Sequence, residues 1–160
     1  MKNIIIFSFF AIAAICFFTC AKDQGDVSGL FSDKKLFELA QNSTGHTYYQ
    51  NGAALPAAGN SPHGSFRLRF NPKAFSALDS LGELPAGNVF PDSSLLVKEA
   101  LSGNNVNLYA VMYKKQGAWL WAEYKPDGET VYSLFKDPSG CTSCHSQTPN
   151  RDFVRTFDLH

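Results

Sequence analysis

Three apolar segments in the second half of the chain follow one another with only short turns between them. They read "NLYAVMYKK", "GAWLWAEYKPDG" and "ETVYSLFKD", with turns at Gln116–Gly117 and Pro126–Asp127–Gly128. Connections this short can join antiparallel strands, whereas parallel strands need a crossover of about a dozen residues or more. The sequence therefore predicts an antiparallel β-meander.

The segments before the meander add strands and short helices. Strict apolar–polar alternation in "SFRLRF" predicts a half-buried strand, whereas "LLVKEAL" fits a strand or a helix. Ser32 as an N-cap and an apolar stripe predict a helix over Asp33–Gln41. Asn71 followed by Pro72 predicts a second helix, continuing to about Leu81. The expected fold class is mainly β (α+β): an antiparallel sheet with two or three short helices and the C-terminal segment discussed below.

The first residues have the pattern of an export signal. A basic start is followed by the apolar run "IIIFSFFAIAAICFF", which is shorter than the roughly 20 residues of a membrane span. The run ends at "FFTCAKD", which resembles a lipoprotein box with Cys20 as the lipidated residue. We expect residues 1–19 to be a signal peptide, 20–32 a polar tether and 33–160 the folded domain. The expected location is the periplasmic face of a bacterial membrane; the alternatives are an ordinary cleaved signal, giving a soluble periplasmic protein, or an uncleaved anchor.

Export makes the cysteine count informative. The chain has four cysteines, of which Cys16 lies in the apolar run and Cys20 is the lipidation candidate. The remaining two, Cys141 and Cys144, precede His145 in the order C-x-x-C-H. In this arrangement the two thiols can form thioethers with the vinyl groups of haem, and the histidine can ligate its iron. The motif predicts one covalent haem c with His145 as the iron ligand.

Three other interpretations of the motif stay open. A redox dithiol would require a strand-to-helix βαβ context, which "FKDPSG" does not suggest. A zinc site would need a fourth ligand such as His46, His63 or His160. A disulfide between Cys141 and Cys144 would close a very small loop and stabilise the protein little.

A second iron ligand is hard to find in the sequence. Met112 is the only methionine after the signal segment, and it lies in an apolar strand where a core position is the ordinary interpretation. His46 and His63 lie in Gly-rich loops. The sequence therefore favours an iron with one open position, which binds small molecules, over a closed electron-transfer site.

Charge argues against one class of partner. Lys and Arg together number 14, as do Asp and Glu, and no run of like charge occurs. A nucleic-acid-binding protein would be expected to carry a basic patch. We therefore do not expect nucleic acid as a partner.

Several segments between Phe66 and Phe157 together resemble the cytochrome P-460 family, including its cytochrome c′-β members. They are "FRLRFNPKAF", "LPAGNVFPDSSLLVKEAL", "YAVMYKKQGAWLWAEYKPDGE" and "CTSCHSQTPNRDFVRTF". The resemblance implies an antiparallel β fold, a homodimer, one haem c per chain and five-coordinate iron with His145 as proximal ligand. It also implies binding of nitric oxide or carbon monoxide, or oxidation of hydroxylamine or nitric oxide, with electrons passing to a soluble or membrane redox partner. A non-catalytic gas sensor and an electron-transfer cytochrome c remain the alternatives.

The resemblance also suggests site residues. In the oxidising members a lysine is joined covalently to the haem, and here Lys98 is the candidate, with Lys114 second. Glu99 and Glu123 are candidates for a distal base that accepts protons.

Charged residues near the motif have two possible roles. Arg151 could bind a haem propionate, because arginine pairs well with carboxylates. It could instead form a local ion pair with Asp152. Arg67 and Arg69, on the polar face of "SFRLRF", could also bind a propionate.

Overall fold

The protein is described by a computed structural model that covers residues 31–57 and 61–155. A six-stranded antiparallel sheet forms its centre, and the strands pair in chain order. This confirms the predicted fold class. The strands are β1 (Thr47–Tyr48), β2 (Phe66–Phe70), β3 (Leu95–Ser102), β4 (Asn105–Lys115), β5 (Ala118–Tyr124) and β6 (Thr130–Tyr132), and the helices are α1 (Asp33–Gln41), α2 (Pro72–Phe75) and α3 (Ser139–His145), with a 3-10 turn at Tyr49–Gly52.

Helix α1 has the predicted bounds because its start is capped. The Ser32 Oγ accepts a hydrogen bond from the Lys35 backbone N–H at 3.1 Å, which satisfies a donor that lacks a partner within the helix. Leu36 and Ala40, one turn apart, are fully buried. The helix packs this apolar stripe against one face of the sheet.

Helix α2 is shorter than predicted, ending at Phe75 instead of continuing to about Leu81. The start is as expected, with the Asn71 side chain accepting from Ala74 N–H. Beyond the helix, the Asp79 carboxylate accepts from the backbone N–H groups of Leu81 and Glu83 at 2.9 and 3.0 Å. Such local side-chain bonds favour a turn over a helix.

The segment "LLVKEAL" is the strand β3, and its register fixes which residues share a face. Lys98 lies opposite Ala110 on β4, and Ala110 lies opposite Glu123 on β5. Since side chains alternate along a strand, Glu99 is on the other face. We call the face with Lys98 the cavity face and the face covered by α1 the helix face.

Each face has its own apolar core. The helix-face core includes Leu36, Val97, Val111 and Tyr124, and the cavity-face core includes Phe66, Leu96, Met112, Trp119 and Trp121.

Residues 1–30, which hold the predicted signal peptide, Cys20 and most of the tether, lie outside the described ranges. Within those ranges, no helix is long and apolar enough to cross a membrane.

Candidate functional site

The C-x-x-C-H motif forms most of helix α3. Residues three and four apart lie on the same side of a helix, so Cys141, Cys144 and His145 share one side. All three line one cavity, with a volume of about 460 Å³, between α3 and the cavity face of the sheet. This volume is within the range of small-molecule and cofactor sites, roughly 300–1,000 Å³.

The sheet supplies the opposite wall of this cavity. Ala110 lies between Lys98 and Glu123 in a row across three strands, and its small side chain leaves space there. The apolar part of the wall includes Phe66, Leu96, Met112 and Trp121, and Val154 adds to it from the C-terminal segment.

His145 is held as a neutral ring with one nitrogen engaged. Its Nδ1 donates a hydrogen bond to the Phe153 carbonyl oxygen at 2.7 Å, and the ring meets Trp121 edge-on, with centroids 4.8 Å apart. Burial lowers the pKa of His145 to about 4, so the ring is uncharged at neutral pH. Its Nε2 therefore carries a lone pair. A neutral imidazole with its other N–H bound to a carbonyl is the usual form of a metal-ligating histidine.

A tight turn in the "RDFV" segment places that carbonyl. Arg151 and Val154 form an isolated antiparallel bridge, and Asp152 and Phe153 between them have φ of 47° and 65°. Two successive left-handed residues without glycine are uncommon and need support from surrounding contacts. The turn brings the Phe153 oxygen to His145.

Contacts to Asp152 supply this support. The Lys114 Nζ lies 2.7 and 3.0 Å from the two carboxylate oxygens, and the Phe90 N–H donates to one of them at 2.8 Å. The Trp119 indole N–H donates to the Asp152 carbonyl oxygen at 2.8 Å. Lys114, the second cross-link candidate, is thus committed to Asp152 and is not among the cavity-lining residues. Asp152 pairs with Lys114, so the suggested local pair with Arg151 is not formed.

Arg151 and Arg155 differ in position. The Arg151 Nη1 reaches the Glu83 carboxylate at 3.3 Å and the Leu84 carbonyl at 2.5 Å, and Arg151 does not line the cavity. Arg155 does line it, with Nη1 2.7 Å from the Cys144 Sγ. Arg155 was not selected from the sequence, where no pattern distinguishes it from Arg151.

Lys98, the first cross-link candidate, lines the cavity. Its Nζ lies 4.0 Å from the centre of the Phe66 ring, and it forms no ion pair with a carboxylate in the described residues. Burial, followed by the nearby charge of Arg155, lowers the pKa of Lys98 to about 8. At a given pH, a lysine with a lowered pKa has a larger uncharged fraction than a surface lysine, and the uncharged amine is the nucleophilic form.

Glu99, the candidate distal base, lies on the helix face and does not line the cavity. The Arg69 Nε lies 2.7 Å from its Oε1 and the Arg67 Nη2 lies 2.9 Å from its Oε2. The Tyr48 hydroxyl donates to it at 3.0 Å. Arg67 and Arg69, suggested as propionate partners, are therefore bound to Glu99. Side chains alternate between the two faces of a strand, which predicted "SFRLRF" as a strand. In β3 the same alternation places Lys98 and Glu99 on opposite faces.

Two histidines outside the motif lie in the described part of the chain, and one of them reaches the cavity. His63 lines it, and its Nε2 lies 3.0 Å from the Oε1 of Glu123, the other carboxylate suggested as a base. His46 instead lies beside Arg69, with Nδ1 2.6 Å from Nη1. The pairing of His63 with Glu123 joins residues far apart in the chain, and nothing in the sequence indicated it.

The other interpretations of the motif meet different outcomes. Cys141 and Cys144 are both free thiols, half-buried and without a disulfide between them. Burial and the charge of Glu123 raise the pKa of Cys141, unlike the lowered pKa of reactive thiols. All strand pairs described are antiparallel, so the motif has no βαβ context. In residues 31–57 and 61–155, no group of three or more His, Cys, Asp or Glu is arranged to hold a metal ion.

Comparison with known proteins adds no relative. No family model, no curated protein and no solved structure matches the chain. The resemblance to the cytochrome P-460 family therefore stays a prediction from the quoted motifs.

Proposed function

We propose that this protein is a c-type cytochrome that holds one haem in the cavity between α3 and the sheet. Cys141 and Cys144 would carry the thioether bonds, and the His145 Nε2 would ligate the iron. The observation that carries the proposal is that all three motif residues line one cavity of about 460 Å³ from the same side of α3.

The chemistry of the lining residues fits a haem. Both thiols are free, and His145 is neutral and oriented by the Phe153 carbonyl. The sheet wall is largely apolar, as the flat face of a porphyrin requires. Arg155 is the arginine that lines the cavity, so it replaces Arg151 as our candidate partner for a haem carboxylate.

The proposed activity is the binding or oxidation of small nitrogen species such as hydroxylamine or nitric oxide. Haem supplies an iron that binds small ligands and changes oxidation state. The chain contributes polar groups to the same cavity, namely Lys98, Glu123 and His63. Lys98 remains the candidate for a covalent bond to the haem, because its amine is in the cavity and has a lowered pKa. The same proposal includes export of the chain by its signal segment and lipidation at Cys20. It also includes a periplasmic location and a homodimer.

One observation favours a second candidate function, electron transfer. Met112 and His63 both line the cavity, so either side chain is a possible sixth ligand that would close the iron site. A gas sensor would need the same open site as the oxidase. The spectrum of the ferrous protein separates the carrier from the other two functions, because a five-coordinate spectrum excludes the carrier.

Covalent haem is the first point to test. The full chain, expressed with c-type maturation machinery, should give a c-type pyridine haemochrome, and the double variant Cys141→Ala/Cys144→Ala should give none. Thr142→Ala, on the same helix between the two thiols, is the matched control and should keep its haem. If the double variant retains covalent haem, the proposal is wrong.

A second variant tests the location of the haem. Ala110→Phe places a large side chain where the cavity meets the sheet, so the haem content per chain should fall severalfold. Peptide mapping of the haem peptide reports any bond to Lys98 in the same experiment. Wild-type haem content in Ala110→Phe would place the haem elsewhere.

A further inference from the structure

An ion pair outside the cavity lies one residue away from the group that orients His145. The His145 Nδ1 donates to the Phe153 carbonyl oxygen at 2.7 Å. The preceding residue, Asp152, pairs with Lys114, and both side chains are 5% exposed. Neither residue of the pair lines the cavity, so contact with a bound molecule does not account for it. Its route to the cavity is through the backbone of the turn and His145.

Asp152 is bonded at both its side chain and its backbone. The Lys114 Nζ and the Phe90 N–H contact its carboxylate at 2.7–3.0 Å. The Trp119 indole N–H donates to its carbonyl oxygen at 2.8 Å. Asp152 and Phe153 have φ of 47° and 65°, a backbone conformation that persists only where surrounding contacts hold it. These contacts therefore determine where the Phe153 carbonyl points.

Lys114 belongs to a strand that also forms the cavity wall. Side chains two residues apart on a strand share a face, so Ala110, Met112 and Lys114 of β4 all lie on the cavity face. Ala110 and Met112 line the cavity, and Lys114 holds Asp152. One strand thus sets the position of the wall and, through Asp152, the position of the carbonyl that His145 contacts.

We propose that Asp152 and Lys114 are positioning residues for the iron ligand His145, and that their ion pair favours the ferric state of the proposed haem. The inference rests on the proposed haem site and extends it to how the chain sets the ferric–ferrous balance. A histidine whose second N–H is bound to a carbonyl is a more basic metal ligand. Ferric iron gains more from a stronger electron donor than ferrous iron does, so a fixed carbonyl favours the ferric form.

Other contacts hold the segment before the turn. The Asn150 Nδ2 donates to the His145 carbonyl oxygen at 3.0 Å, and the Arg151 Nη1 donates to the Leu84 carbonyl oxygen at 2.5 Å. These bonds fix the end of α3 and the first residue of the bridge. They do not reach the two left-handed residues, so we assign the direction of the Phe153 carbonyl to the contacts of Asp152.

The main test is the double variant Asp152→Asn/Lys114→Met in the haem-loaded full chain. It removes one negative and one positive charge, so the net charge near the iron stays the same, and asparagine tolerates positive φ. Replacing both partners of a buried pair also costs less stability than removing one. In a mediator-buffered titration, one electron passes from the mediator to ferric iron. The ferrous-to-ferric ratio at a fixed potential should rise roughly tenfold, the low end of the effects of losing an outer-shell partner.

A spectroscopic readout reports on His145 itself. The iron–histidine stretching frequency of the five-coordinate ferrous protein, measured by resonance Raman, should fall in the double variant, because a weaker Nδ1 hydrogen bond makes a weaker ligand. Trp119→Phe removes the indole donor to the Asp152 carbonyl and changes no charge. It should shift the ratio and the frequency in the same directions by smaller amounts, and it decides the question if the double variant does not fold.

Glu99→Gln is the matched control for lost stability. It also neutralises a buried carboxylate that pairs with a buried cation, Arg69, but on the helix face. It should change the ferrous-to-ferric ratio less than twofold and leave the stretching frequency unchanged.

The two single variants separate positioning from electrostatics. If charge alone acted on the iron, Asp152→Asn would favour the ferrous state and Lys114→Met would favour the ferric state. Positioning predicts a shift toward the ferrous state in both, because either change releases the turn.

Each other result contradicts the inference in a recognisable way. An unchanged ratio and frequency in the double variant, with normal haem, overturn the positioning role and leave the haem site standing. Opposite shifts in the single variants make the pair an electrostatic group instead. A shift in Glu99→Gln as large as in the double variant makes general loss of stability the cause. Absence of covalent haem in the wild type overturns the proposed function and this inference together.

Discussion

Two neighbouring charged residues of β3, one on each face of the sheet, differ in whether they have a counter-ion. Glu99, on the helix face, is 4% exposed and is bound by Arg67, Arg69 and Tyr48. Lys98, the adjacent residue on the cavity face, has the ring of Phe66 beside it and no carboxylate partner in the described part of the chain. The same strand thus carries one satisfied charge and one charge without a counter-ion.

This difference separates structural from functional polar groups. Buried charges that only stabilise a fold are paired, because an unpaired one is too costly. A charged group that acts on a ligand can lack a counter-ion until the ligand is present. By this criterion of charge pairing the Glu99 network is structural, and Lys98 is the charged group available for function.

Removing Glu99 should have the largest effect on stability. Glu99→Ala leaves Arg69, which is fully buried, without its carboxylate, and breaking a buried ion pair in this way costs about 3–5 kcal/mol. Urea unfolding followed by circular dichroism measures the loss. Glu129→Ala breaks the exposed pair with Lys125 and is the control, expected to cost less than about 1 kcal/mol. Equal losses in the two variants would refute the distinction between the faces.

Asp152→Asn should come next, at about 3 kcal/mol, since it removes a charge from a pair in which both side chains are 5% exposed. Asparagine tolerates positive φ, so the expected loss of stability does not come from strain in the backbone of the turn. Adding Lys114→Met should recover part of the loss, because the uncompensated charge is then gone. Failure of the double variant to recover any stability would mean that the ion pair is not what holds the turn.

The smallest effect is a pH dependence from Lys98. Its pKa is lowered from 10.5 to about 8 in the folded chain, so between these values the unfolded chain binds more protons. Stability therefore rises with pH through this window, by at most about 1.4 kcal/mol per pH unit. Below about 8 the lysine is protonated in both states and contributes no slope.

Lys98→Met isolates this contribution. Tyr48, Tyr124 and Cys141, whose pKa values are raised by burial, titrate in both chains and cancel in the difference. Unfolding of the haem-free chains in denaturant, repeated from neutral to alkaline pH, gives the two profiles. Parallel profiles would show that Lys98 is solvated like a surface lysine.

Local patterns predicted much of the fold because local forces determine it. The cap at Ser32 and the apolar stripe after it gave the bounds of α1, and the short turns gave the antiparallel meander. The end of α2 was wrong, because the Asp79 side chain competes for backbone donors there. The helix propensities of the residues, summed along the segment, do not account for this competition.

The part of the candidate site formed by the motif was predictable because its residues are adjacent in sequence, whereas Lys98 and Glu123 were suggested only by the family resemblance. Cys141, Cys144 and His145 are one motif, and helical spacing brings them to one side. The contacts of His63 with Glu123 and of Asp152 with Lys114 span long stretches of chain. Such contacts depend on the strand register and on where the C-terminal turn settles, and neither is encoded in a short pattern.

Because the strands pair in chain order, the sheet can form in the same order in which the chain is synthesised. Each strand emerges next to a partner that already exists, so the sheet can grow by hairpins without waiting for distant segments. The motif helix α3 follows the last strand. We therefore expect the apolar wall of the cavity to be assembled before α3 is added, and the late synthesis of α3 leaves its thiols reachable while that wall is already in place.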